Sequence, residues 1–257
     1  MSGFSLDWLS LREPADRAAR DPHLRRRAAE SAGPQPVVVD LACGSGALMR
    51  DLGAALPPAQ RWRLVDHDAD LLAAAGKGSG AVETHCLSLL DIAALPLAGA
   101  TLVTASALTD LVSEAWLAAL VARLAAERLP FYATLAYGGS CVWQPPHARD
   151  AAVLAALNRH QHGDKGFGPA LGPDATDRLC ALLAAAGYRL SQAPSPWRLG
   201  PDRAALQIAT SDGYAQAARD LGACAEPEIA DWMAYRRAQA AAGSMTVGHW
   251  DVLGLPG

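Results

Sequence analysis

The sequence lacks the usual marks of a metal-clustered, disulfide-bonded or membrane-spanning chain. Its five cysteines, Cys43, Cys86, Cys141, Cys180 and Cys224, are odd in number and widely spaced. None forms the CxxC pair that holds zinc or runs thiol redox chemistry, so the expectation is no metal and a reducing, cytoplasmic setting. No apolar run approaches the roughly 18 residues of a membrane span. The amino terminus, MSGFSLDWLSLREP, has no basic region leading into an apolar stretch. Positive charge is not in excess either: the formal net charge is -4, which argues against nucleic acid or an anionic membrane as partner. The nearest exception is RRR at Arg25 to Arg27, preceded by Arg12, Arg17 and Arg20. Glu13, Asp16, Asp21 and Glu30 are interleaved there, so the pattern reads as a solvated helix laced with salt bridges.

What is present is an ordinary globular composition over 257 residues, 51% hydrophobic and 19% charged. From Val37 onward short apolar runs alternate with helical patterns, as in a parallel sheet wrapped by helices. Strands are predicted at PVVVDLA, RWRLVDHD, ETHCLSLLD, ATLVTASA and FYATLAY, then near YRLSQA and at SMTVGHWDVLGLP. Helices are predicted at GALMRDLGAAL, stopped by Pro57 and Pro58, and at ADLLAAAG. The segment SEAWLAALVARLAAERL follows, with Trp116, Leu117, Leu120, Val121 and Leu124 at helical spacing. Beyond Gly139 come ARDAAVLAALNRHQ, a glycine-rich and proline-rich loop, DATDRLCALLAAAG, and helices at about 203–221 and 226–241. The expected architecture is one α/β domain. Residues 1–35 form an N-terminal helical cap, 36–139 the core that binds a ligand at its glycine turn, and 140–257 a second half with a helical lid after the fifth strand.

The stretch VVVDLACGSGALMRDL runs a buried strand into a glycine turn and a helix. A dinucleotide fingerprint needs a third glycine where Met49 stands, and a P-loop needs a lysine that no position here supplies. Asp40, Ala42, Gly44 and Gly46, an acid followed by three alternating small positions at a strand end, resemble the first motif of the class I S-adenosylmethionine-dependent methyltransferases. Ala42 departs from the more usual glycine. In that family the second strand ends in a carboxylate that accepts from the ribose hydroxyls, and LVDHD offers Asp66, followed by His67, with Asp68 as the alternative or a helix N-cap. LSLLDIAALPL is similar to the third motif, in which Asp91 would accept from the adenine amino group and Ile92 would offer its N–H and apolar surface. TLVTASALTDLV is similar to the fourth-strand motif, whose exit at Thr104, Ala105 and Ser106 would line the methionine end. The resemblance implies a Rossmann-like, seven-stranded, mostly parallel sheet with helices on both faces, and S-adenosylmethionine as cofactor. It places Cys43, in the turn, among the cofactor-binding residues. It covers about Pro36 to Gly139.

The resemblance also implies an acceptor, and some classes are disfavoured. No Asn-Pro-Pro-aromatic or Asp-Pro-Pro-aromatic segment follows the fourth strand and no Pro-Cys pair exists, which leaves a small polar molecule ahead of nucleic acid. The loop NRHQHGDKGFGPALGP crowds Arg159, His160, His162, Asp164 and Lys165 beside glycine hinges, a composition suited to a lid over a polar ligand. His160 and His162 are candidate general bases, and no spacing selects between them. Asp110 is a further candidate base or substrate contact, while Ser113 is better placed to cap the next helix. Tyr137 would face the same mouth, and Trp8, Trp143 and Trp197 could wall it and attract a cationic amine. Arg12 and Arg17 are candidates to close over the cofactor or to hold a substrate carboxylate. His249, in TVGHWD, reads as a satisfied strand histidine.

Overall fold

The computed structural model describes residues 4–76 and 81–257. Two N-terminal helices, α1 (Leu6–Ala19) and α2 (Pro22–Ser31), precede an alternation of strands and helices. It runs β1 (Val37–Leu41), α3 (Ala47–Leu52), β2 (Arg61–Asp66), α4 (Ala69–Ala75), β3 (Ala81–Cys86), β4 (Leu102–Ser106), α5 (Glu114–Ala126) and β5 (Phe131–Gln144). The second half runs α6 (Asp150–Gln161), α7 (Ala175–Ala185), β6 (Tyr188–Pro194), β7 (Trp197–Leu199), α8 (Ala204–Asp220), α9 (Glu226–Gln239) and β8 (Ser244–Pro256).

The strands form one sheet in the order β3-β2-β1-β4-β5-β8-β6, with β7 paired to β8 beyond the end of β6. The first five strands in that order are parallel, whereas β6 and β7 pair antiparallel with β8, and β8 with β5. Strand alternation divides the core in two. Val38, Leu102, Tyr132 and Leu253 face the helices α2, α3 and α4, while their neighbours Val39, Val103, Phe131 and Val252 face α5 and α7. Two-sided burial of this kind is what keeps these strands apolar at successive positions. A third cluster covers the far ends of β5 and β8 with α6, α8 and α9, centred on the fully buried Trp232.

Three predicted features are corrected. The sheet has eight strands rather than seven among the described residues, because β7, with three residues, is too short to carry a periodicity. The third strand ends at Cys86 instead of running to Asp91. The fifth continues to Gln144, seven residues past the predicted end. It does so through two register shifts against β8, at the first of which Leu135 takes a left-handed conformation with φ of 56° and donates its N–H to Asp251 Oδ1 at 2.9 Å. A buried carboxylate on the partner strand therefore satisfies the bulge where alternation breaks.

The N-terminal arginines are not uniformly solvated. Arg20 is 4% exposed and pairs with the buried Asp51 at 3.2 Å, and Arg25 pairs with the other Asp51 oxygen. No helix among the described residues is long and apolar enough to cross a membrane.

Candidate functional site

A sheet whose order reverses between β1 and β4 opens a crevice outside their carboxyl ends, because the connections on either side leave in opposite directions. The main cavity, about 730 Å³, lies there, a size ordinary for a small-molecule site. Its floor is the turn after β1. Its walls come from the loops after β2, β3 and β4, and its cover from α1 and the loop after α6.

The turn is built by backbone geometry. Ala42, Gly44 and Gly46 all have positive φ, at 51°, 53° and 81°, so the alternating small positions are the alternating left-handed ones. A side chain at Gly44 would meet Leu9 of α1 at 3.2 Å, and one at Gly46 would meet Ala75 of α4 at 3.1 Å. Gly46 thus lets α4 approach, whereas Met49, three residues on, is buried in the core. The Gly44 N–H donates to Asp66 Oδ2 at 2.8 Å, and the Cys43 N–H to the Val65 carbonyl at 3.1 Å. The β1 turn is therefore clamped to the end of β2.

Asp40 sits beneath this turn, 1% exposed, and lines the cavity. Its Oδ1 accepts from the Thr104 hydroxyl at 2.8 Å, and its Oδ2 has no partner among the described residues. Burial pushes its carboxyl up to about 7, against the pull of Thr104 and Arg20. An unsatisfied buried acceptor at a cavity wall suits a ligand that brings a donor, best a cationic one. Cys43 also lines the cavity, but burial, with Asp40 and Asp66 nearby, pushes its thiol far up and leaves it an inert core residue.

Asp66 and His67 line the cavity, and Asp66 Oδ1 lies 3.3 Å from His67 Nδ1 and accepts from the Asp68 N–H at 3.1 Å. Asp68 itself caps α4, accepting from Asp70 and Leu71. On the next loop the lining residues are Ser88, Leu89 and Leu90. Asp91 is exposed and caps a 3₁₀ turn at Ile92–Ala94, with the half-buried Ile92 in its first position. Ser106 lines the cavity, while Thr104 and Ala105 lie behind it in the sheet.

The cover joins the predicted Arg12, Trp8 and Trp197 to Asp16 and Arg20, which were not predicted as site residues. Arg12 is buried and turns its Nε and Nη2 onto Asp16, between 2.9 and 3.2 Å. Its guanidinium stands 4.9 Å from the Trp197 ring and 5.9 Å from Trp8, and Trp197 Nε1 donates to Asp16 at 2.9 Å. The aromatic wall expected to attract a cationic ligand already holds a cation of the chain. Arg20 reaches the cavity with Nη2 on Ser106 at 3.1 Å and Nε on Thr134 at 3.4 Å. Asp16 and Arg20 lie one turn apart at the end of α1, but their partners Trp197, Asp51, Ser106 and Thr134 come from distant segments, and no local spacing marks those contacts.

Off the cavity lining lies a set of polar side chains in the loop after β4 and on β5 and β8. Asp110 is 5% exposed, its Oδ1 has no partner among the described residues, and burial raises its carboxyl to about 6. Ser113 caps α5 by accepting from Trp116. Tyr137 donates to Asn158 Oδ1 at 2.8 Å. His249 stacks against Trp197 at 5.0 Å and against Tyr137 at 6.3 Å. Its Nδ1 finds no partner among the described residues, and burial with the Arg12 charge pushes it down to about 3, so it is a neutral, incompletely satisfied histidine.

The remaining predicted residues are distributed as follows. Lys165 and Asp164 line the cavity from the loop after α6, where Asp164 Oδ1 accepts from the N–H groups of Gly166 and Gly168. His160 is half-buried behind Lys165, and His162 is exposed, 4.0 Å from Asp174. Arg159 and Arg17 are exposed and lie off the cavity lining. Trp143 is in the third core cluster, edge-on to Tyr214 and Trp232. Among the described residues no group of three or more His, Cys, Asp or Glu is arranged to hold a metal.

No family model matches the chain and no curated protein matches its sequence significantly. Solved structures do resemble it. The cyclopropane synthase MmaA2 from Mycobacterium tuberculosis superposes with a TM-score of 0.52 and 13% identity, covering 98% of this chain and 94% of that one. A cyclopropane-fatty-acyl-phospholipid synthase-like protein from Lactobacillus casei ATCC 334 superposes with a TM-score of 0.56 and 15% identity over the same shares. At such identities the likeness is one of fold alone, a Rossmann-like, largely parallel sheet with helices on both faces.

Proposed function

We propose that the chain is an S-adenosylmethionine-dependent methyltransferase acting on a small polar acceptor. The observation that carries this reading is the unpartnered, buried Asp40 Oδ2 on the wall of a cavity whose floor is a turn of alternating left-handed residues. When bound, the cofactor supplies a methyl group on a sulfonium, open to in-line displacement by a nucleophile held about 3 Å away.

The chain's own residues divide the work. Asp40 meets the amino group of the methionine moiety, matching its unpartnered Oδ2 to a cationic donor. Asp66 keeps the turn closed through the Gly44 N–H and has lone pairs left on the cavity side for ribose hydroxyls. Leu89 and Leu90, with Ser88, form the face against which the adenine packs, and Asp91 and Ile92 flank it. Ser106, oriented by Arg20, marks the methionine end. On the acceptor side, Leu108 and Leu111 exclude water. Asp110, His160 and His162 are the groups from which a base would be drawn, and Asp110 is the only one of the three that is both buried and without a partner for Oδ1 among the described residues.

The test is calorimetric titration of the folded protein with S-adenosylmethionine and S-adenosylhomocysteine. Binding is expected, with Asp66→Ala weakening it at least about tenfold, the order expected for the loss of charged hydrogen bonds. A folded sample that binds neither compound would refute the reading.

A further inference from the structure

Lys165 enters the cavity from the loop after α6, and its Nζ lies 3.3 Å from His160 Nδ1 and 3.2 Å from the His160 carbonyl oxygen. His160 Nε2 faces Asp220 Oδ2 on α8 at 3.4 Å, which places the ring proton on Nε2 and leaves Nδ1 an acceptor. Two of the three ammonium N–H groups are thereby engaged at the end of α6, and the third corner is open to the cavity. The loop itself is held. Asp164 ties down Gly166 and Gly168, and Phe167 packs edge-on against Trp116 of α5 at 5.4 Å.

Two other cations line the cavity. Arg20 has each nitrogen committed, Nε to Thr134, Nη1 to Asp51 and Nη2 to Ser106. Arg12 spends Nε and Nη2 on Asp16, and its Nη1 makes no hydrogen bond among the described residues. Of the acids on this side, Asp16 is held by Arg12 and Trp197 and Asp164 by its own loop. The donors left open are thus Lys165 Nζ and Arg12 Nη1, beside the apolar Leu108, Leu111 and Phe167.

We infer that the methyl acceptor carries a carboxylate, received by Lys165 with Arg12 Nη1 as the second donor, and that the Asp220–His160 pair positions the lysine for it. The inference rests on reading the cavity as a methyl-transfer site. A monoanion fits better than a phosphate because Asp16 and Asp164 line the same cavity and repel additional negative charge. Burial lowers the lysine's proton affinity from its ordinary value of 10.5, against the pull of Asp220. The charged or titratable groups around it are His160 from α6, Asp220 from α8, Asp164 of its own loop, and Arg12 and Asp16 from α1 across the cavity. A bound carboxylate would raise that affinity.

The sequence contains only two lysines, Lys77 and Lys165, so selective ¹³C-lysine labelling gives two signals that Lys165→Gln assigns. Benzoate, benzamide and phenyl phosphate are titrated calorimetrically into the protein with and without S-adenosylhomocysteine, and the Lys165 signal is followed against pH. Benzoate is expected to bind at least about tenfold more tightly than benzamide, as a charge-assisted hydrogen bond requires, and to raise the Lys165 titration midpoint. Lys165→Gln should lose this preference and Lys165→Arg should keep it. The inference is overturned if benzoate does not bind, if benzamide binds as well, if phenyl phosphate binds better, or if Lys165→Gln changes nothing. With S-adenosylhomocysteine bound, such failures strike only the acceptor assignment; failure of S-adenosylhomocysteine itself to bind removes the methyltransferase reading and the assignment with it.

Discussion

Asp40 shows how a single residue can carry both a stability cost and a ligand preference. Its carboxyl is raised to about 7 from an ordinary 3.8, with burial as the main cause. Between those values the folded chain holds a proton that the unfolded chain has released, so this group's contribution to stability falls as pH rises from about 4 to about 7. Asp40→Asn removes the term, and thermal melts across pH should show the variant gaining on the parent through that window, by up to about 4 kcal/mol. The difference between the two melts isolates Asp40 from Asp110, which acts in the same direction, and from His249, which is held neutral and acts in the opposite one. A ligand amino group reverses the sign. S-adenosylhomocysteine should bind the parent more tightly as pH rises through about 7, while Asp40→Asn shows no such rise. At this scale the first motif was readable because acid, small residues and strand lie within a few positions. The contacts of Asp16 with Trp197 and of Arg20 with Asp51 were not, since only tertiary packing brings those partners together.

The element that decides access to the cavity is α1. It is only partly buried, through Arg12, Ala15 and Asp16, and among its polar attachments the buried one is the Asp16 bond from Trp197 on β7, while the Glu13–Arg50 pair ties it to α3 at the surface. Trp197→Phe keeps most of the packing and deletes one buried hydrogen bond. The expected loss is about 1–2 kcal/mol, and limited proteolysis should cut within α1 sooner than in the parent; equal cleavage rates would show that α1 is held by other contacts. Element boundaries were legible wherever a cap or a proline marks them, as at Ser113, Asp68 and Pro57. They failed where geometry replaces pattern: β7 has three residues, and β5 passes through Leu135, Gly138 and Gly139 in bulges that erase its alternation.

Across the whole molecule the two halves of the chain differ in what their sequence discloses. The parallel half repeats a strand, a turn and a helix, and each strand end puts its loop on the same rim, so the order of motifs maps onto the order of walls. The second half is antiparallel, and α8 and α9 enter between β7 and β8 to build a third core with α6. The groups assigned to the acceptor, Lys165 and Arg12 on the cavity lining and the buried Asp110 off it, therefore come from three separate segments. Their arrangement depends on the fold rather than on spacing, so the sequence named these residues singly and the structure shows which of them share the cavity. The central claim is that the cavity at the ends of β1, β2 and β4 holds S-adenosylmethionine by its amino group on Asp40. A crystal structure grown with S-adenosylhomocysteine tests it most directly. The account predicts the ligand in that cavity, its amino nitrogen about 3 Å from Asp40 Oδ2 and its ribose beside Asp66; an empty cavity at saturating ligand, or an amino group turned away from Asp40, would contradict it.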